Sequence, residues 1–216
     1  MELKGLKINF LGDSITEMYC ASSKETCYVG LLGSRYGAEA RNYGIAGTRI
    51  AEQVKKDAAK SHDFGHFTLR CQYMNKDADV VFVMGGTNDY GHGDAPFGKE
   101  SDREPTTFCG SVHTLFASLK ALYPHAKIVI ATPLPRATGH IPRSDNQGGT
   151  VTMADYCKVI EDAAPMYGFY LLKLCGNPDP KLSGFHDNSW YVDGLHPNDE
   201  GHSRLADYIA EYLQQL

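Results

Sequence analysis

Val80-Val81-Phe82-Val83-Met84, followed without a break by Gly85-Gly86-Thr87-Asn88-Asp89, decides the fold class. An unbroken apolar run has no face for water, so it predicts a central strand of a parallel sheet, covered on both sides. The abrupt change to glycine and polar residues marks the carboxyl end of that strand. Ligands of open α/β sheets bind beyond such ends. Working outward, Leu6 to Leu11, Arg41 to Ile45, Lys127 to Ala131 and Phe169 to Leu174 read as four further strands. Helical patterns fall between and after them, at Cys27 to Tyr36, Ile50 to Lys60, Thr107 to Tyr123, Met153 to Tyr167 and Asn198 to Leu213. In the last, Leu205, Ile209 and Leu213 repeat at helical spacing. This alternation implies one parallel five-stranded sheet with right-handed crossovers and helices on both faces. No internal repeat or linker divides the chain, so residues 1–216 read as a single domain.

Composition excludes several classes. The 216 residues carry a net charge of −5 and include 42% hydrophobic and 22% charged residues, close to an ordinary globular chain. No Lys/Arg cluster is long enough to form the basic face that a nucleic-acid partner requires. No apolar run approaches the roughly 20 residues of a membrane span. The N-terminus, Met1-Glu2-Leu3-Lys4-Gly5-Leu6, lacks the apolar core of a secretory signal, which points to a cytoplasmic location. The six cysteines form no CxxC pair, and reduced thiols are expected. His62 and His66 have helical ligand spacing but no recognisable third ligand, so no metal and no cofactor is expected. There is no Walker loop and no GxGxxG.

Four short segments carry chemistry. Gly12-Asp13-Ser14 follows the first strand and places a serine at the ligand edge, although Asp and Ser are also ordinary helix caps. Gly47, in Asn42-Tyr43-Gly44-Ile45-Ala46-Gly47-Thr48, allows close approach of a backbone N–H. Asn88 follows the central strand and offers an amide donor. Asp193-Gly194-Leu195-His196-Pro197 precedes the last helix. Asp193 and His196 are close enough in a turn for the carboxylate to fix the imidazole tautomer. Asp13, Tyr90 and His92, beside these segments, are candidate substrate contacts.

Together, and in this order, these segments resemble the four blocks of the SGNH (GDSL-type) hydrolase superfamily, with Gly-Asp-Ser-Ile in place of Gly-Asp-Ser-Leu. The resemblance spans almost the whole chain. It implies a flavodoxin-like three-layer α/β/α fold and ester hydrolysis through an acyl-enzyme. It implies Ser14 as nucleophile, His196 as base and Asp193 as its orienting partner. The oxyanion hole would be the N–H groups of Ser14 and Gly47 and the side chain of Asn88. A thioesterase or lysophospholipase of the same family, or a non-catalytic binding domain, are the alternatives. Two long loops, Tyr90 to Thr106 and Pro133 to Thr150, carry Arg103, Arg136, Arg143, Asp94, Asp145, His92 and His140. Their polarity points to a short acyl group on a polar alcohol, such as an acetylated carbohydrate.

Overall fold

The computed structural model describes residues 1–56 and 65–216. Its centre is a parallel sheet of five strands: β1 (Lys7–Gly12), β2 (Glu39–Gly44), β3 (Val80–Met84), β4 (Lys127–Ala131) and β7 (Tyr170–Leu172). The spatial order β2-β1-β3-β4-β7 is the flavodoxin-like order. All five residues of β3 are buried. Val81 and Val83 enter one core, with α3 (Phe67–Arg70), α5 (Phe108–Leu122) and α6 (Met153–Met166). Val80, Phe82 and Met84 enter the other, with α2 (Tyr28–Tyr36) and α8 (Asp199–Gln214). The strand alternation therefore feeds two cores, and the fold is a three-layer α/β/α sandwich. On the second face α8 docks on α2, where the Tyr28 ring stacks on His202 at 6.2 Å between centroids.

Short elements line the carboxyl edge of the sheet: α1 (Ser14–Glu17), α3, α4 (Thr87–His92) and α7 (Ser183–His186). A two-stranded hairpin, β5 (Arg143–Ser144) with β6 (Thr150–Val151), forms inside the second long loop. Asp145 builds its turn by accepting the N–H groups of Gln147 and Gly149, both at 2.8 Å. Arg136 and Arg143 lie over the Tyr90 ring at 5.3 and 5.1 Å. Much of the charge in these loops thus has an intramolecular structural partner.

One expected helix fails where it can be checked. Residues 50–56 of the Ile50 to Lys60 pattern are not helical, and the remainder lies outside the described residues. The cause is competition for backbone donors. Asp89 accepts the N–H groups of Ile50 and Ala51, both at 2.9 Å, and Asp94 those of Val54 and Lys55, both at 2.8 Å. None of the six cysteines is in a disulfide. Among the described residues no helix is long and apolar enough to cross a membrane.

Candidate active site

β1 ends at Gly12 and the chain turns directly into α1. The Asp13 carboxylate caps the helix by accepting the N–H of Ile15 at 3.1 Å. Ser14 is thereby held at the first helical position, 6% exposed. The packing of α1 on the strand ends is close: a Cβ on Gly44 would lie 2.2 Å from the backbone nitrogen of Glu17.

The second part of the site comes from the other end of the chain. Oδ1 of Asp193 accepts the N–H groups of Leu195 and His196, at 3.0 and 2.8 Å. Oδ2 pairs with Nδ1 of His196 at 2.7 Å. The Ala137 N–H donates to Gly194 O at 2.9 Å and pins this turn to the segment after β4. Nε2 of His196 lies 3.0 Å from Oγ of Ser14. Burial raises the Asp193 carboxyl, but the hydrogen bonds from the His196 side chain and backbone outweigh it, and the net shift is downward. An ionised carboxylate only accepts, so Nδ1 carries the proton and Nε2 presents its lone pair to the serine hydroxyl.

The third part is a frame of amides. Gly47 occupies a turn at φ +73°, a conformation that disfavours other residues. The N–H groups of Ser14 and Gly47 donate to no protein acceptor among the described residues. Asn88 Nδ2 donates to Thr48 O at 3.0 Å. Its Oδ1 meets Nε2 of His92 at 3.2 Å, and Nδ1 of His92 meets Nη2 of Arg49 at 2.5 Å. Guanidinium can only donate, so His92 Nδ1 accepts and Nε2–H donates to Asn88. This relay fixes which way the Asn88 amide faces. Asp89, next along α4, clamps the segment after Gly47, and burial pushes its carboxyl up to about 6.

Arg70 ties the frame together. Its guanidinium donates to Gly12 O, Tyr43 O, Gly65 O and Thr48 Oγ1, and so joins the ends of β1 and β2 to the Gly47 turn. Burial lowers its pKa to about 10, opposed by Asp13 and Glu17, so it stays charged at neutral pH. No sequence motif marks this residue. Tyr19 was equally unmarked. Its ring lies 4.5 Å from that of His196, and the residue is 54% exposed. Beside it opens a groove of about 880 Å³, lined by Glu17, Met18, Tyr19, Lys24, Asn42 and Ala46 among others.

Ser14, His196 and Asp193 are therefore brought together, with Asn88 bonded to the Gly47–Thr48 turn. The three expected substrate contacts are placed differently. Asp13 and Tyr90 are 2% and 3% exposed. The first caps α1, and the second donates its hydroxyl to the carbonyls of Thr138 and Ile141. His92 stands behind Asn88. Trp190 and Tyr191 pack on Phe185. Of the two histidines at helical ligand spacing, His66 contacts Thr68, and His62 lies outside the described residues.

Comparison with known proteins bears on the family and the fold. No curated protein matches the chain. A Lactobacillus plantarum protein of known structure has 25% identity and a TM-score of 0.78, covering 98% of both chains. A candidate GDSL-like lipase from Bacteroides uniformis has 19% identity and a TM-score of 0.71, covering 98% of this chain and 97% of its own. An acetyl xylan esterase has 22% identity and a TM-score of 0.63, covering 96% of this chain and 99% of its own. The model of the GDSL-like lipase/acylhydrolase family matches residues 10–204. With that match across nearly the whole chain, the protein belongs to the GDSL-like lipase/acylhydrolase family, within the SGNH hydrolase superfamily.

Proposed function

We propose that the protein is a serine esterase that removes short acyl groups, acetyl above all, from a polar alcohol such as a sugar. The observation that carries this reading is the continuous hydrogen-bonded chain from Ser14 Oγ through His196 to Asp193. A serine hydroxyl is a poor nucleophile until a base takes its proton. In the proposed reaction His196 Nε2 takes that proton as Oγ attacks the ester carbonyl. Asp193 holds the imidazolium that forms. The N–H groups of Ser14 and Gly47 and the second Nδ2 hydrogen of Asn88 stabilise the oxyanion. His196 then protonates the leaving alcohol, and water hydrolyses the acyl-enzyme by the same route in reverse. The chemistry uses protein groups alone.

The choice of substrate rests on the groove beside Tyr19, where an exposed aromatic ring lies among Glu17, Lys24 and Asn42. That mixture suits a hydroxyl-rich alcohol. The acetyl xylan esterase of the same fold acts on such a substrate.

Labelling with a fluorophosphonate, followed by p-nitrophenyl esters of increasing chain length and then acetylated glycans, tests the reading. Labelling should occur on Ser14, and Ser14→Ala should lower kcat by about 10⁴-fold or more with an unchanged Tm. A variant retaining a tenth of wild-type kcat removes Ser14 from the role. Preference should fall above roughly four acyl carbons, because an acyl chain gains about 0.8 kcal/mol per buried CH₂ only against apolar walls. Equal kcat/KM for octanoate and acetate esters refutes the short-acyl assignment.

A further inference from the structure

Cys20 follows Tyr19, lines the same groove at the mouth of the site and has no role in the proton transfers above. Its backbone has φ +67°, and Met18 two residues earlier has φ +122°. Left-handed conformations at non-glycine residues are held only where surrounding structure dictates them. Here they carry the Cys20 side chain to Asp193 and His196. One donor atom from each of these three residues lies within 4.8 Å of the others. The set combines a sulfur, an imidazole nitrogen and a carboxylate oxygen. Cys20 is half-buried and Asp193 exposed, so the cluster is open to solvent.

We propose that Cys20, Asp193 and His196 form a capture site for one thiophilic divalent cation of the zinc class, and that its binding switches the Ser14–His196 pair off. Three ligands of this chemistry with a fourth position open to water suit zinc, whereas magnesium and calcium prefer all-oxygen sets. Tetrahedral spacing requires the widest donor separation to close by about 1 Å and the hydrogen-bonded Asp193–His196 contact to open slightly as the ion enters. Coordination releases the Cys20 thiol proton. Asp193 lies on the Nδ1 side of the ring, so the ion takes Nδ1. It displaces to solvent the proton that Nδ1 shares with Asp193, and the added positive charge makes Nε2 a weaker base. The proton transfer from Ser14 is thereby suppressed. The ion is an inhibitor here, not a cofactor, so chelators leave activity unchanged or raise it. The inhibitory consequence rests on the esterase reading; the cation site does not.

The two are separated by measuring binding without turnover. Cobalt(II) added to Ser14→Ala should give a thiolate-to-cobalt charge-transfer band that saturates at one equivalent, and the band should be absent from Ser14→Ala/Cys20→Ala. Zinc should inhibit ester hydrolysis by the otherwise wild-type protein. Cys20→Ala, compared with its own zinc-free rate, should need roughly 10- to 100-fold more zinc for half inhibition, the scale lost even when an outer partner of a bound metal is removed. Absence of the band, or equal zinc inhibition in Cys20→Ala, overturns the proposal. A saturable band in a protein that hydrolyses no ester leaves the cation site standing and sinks the esterase reading.

Discussion

At the amino ends of β1 and β2, Lys7, Glu39, Arg41 and Asp77 form ion pairs in water, with Lys7 to Asp77 at 2.9 Å and Arg41 to Glu39 at 2.6 Å. At the carboxyl edge of the sheet, Asp13, Arg70 and Asp89 are tied mainly to backbone amides and carbonyls. Asp13 and Asp89 are 2% and 4% exposed. Exposed pairs gain little, because water screens them and two mobile side chains must be ordered. Buried polar groups held by the backbone act as pins, since removing one leaves its partners without water or a substitute. The difference teaches where the fold has concentrated its constraints. They lie in the layer directly behind Ser14, Gly47 and Asn88.

If that contrast is right, Arg70→Met should have the largest effect on stability. It strands the carbonyls of Gly12 and Tyr43, and a loss of about 3–5 kcal/mol is expected from urea unfolding, with activity falling in step. A loss below about 1 kcal/mol breaks the comparison. Asp13→Asn sharpens it through pH. Burial raises Asp13 from 3.8 to about 7, so the fold holds a proton that the unfolded chain releases. Its contribution is most favourable below about pH 4 and is lost as pH rises through about 7. Asparagine keeps the acceptor for Ile15 N–H and cannot ionise. The variant should therefore gain stability relative to wild type between pH 5 and pH 8, by at most on the order of 3 kcal/mol. Parallel stability–pH curves for the two proteins contradict the assignment.

His92→Ala probes the same layer with a kinetic readout. Asn88 keeps Thr48 as an acceptor but loses the donor that fixes its amide. We expect kcat to fall roughly tenfold with KM little changed, against about 10²–10³-fold for Asn88→Ala. Equal losses would make His92 more than a positioning residue. Asp77→Ala, at the opposite edge, should shift Tm by no more than about 2 °C and leave activity alone. A large loss there would show that the exposed network is not the weak member of the pair.

The legible and illegible parts of the molecule divide along the same line. β3 was readable because burial on both faces writes an unbroken apolar run. The Asp193–His196 pair was readable because both groups lie within one turn. Arg70 was not, because its acceptors are carbonyls and a hydroxyl from four segments, up to 58 residues away. Nothing in Phe67-Thr68-Leu69-Arg70 distinguishes it from a surface arginine on a short helix. Residues 50–56 were misread for a related reason: their pattern is helical, but carboxylates from 38 to 40 residues on take the backbone donors at Ile50, Ala51 and Val54. Asp13, Tyr90 and His92 were placed beside the right segments, yet sequence does not say whether a side chain faces the groove or the frame behind it.

The hydrogen bond between Ser14 and His196 joins residues 182 positions apart, and the histidine stands just before Pro197 and the Asn198 cap of the helix that docks on α2. During synthesis from the amino end, the serine waits for its histidine while 182 further residues are added, roughly 10–40 s at ordinary elongation rates. On the proposed mechanism, the emerging polypeptide lacks its base throughout that interval. With Ser14 and His196 read as nucleophile and base, turnover after denaturation cannot return before the two ends of the chain have met, and α8 shares its core with Phe10 and Phe82.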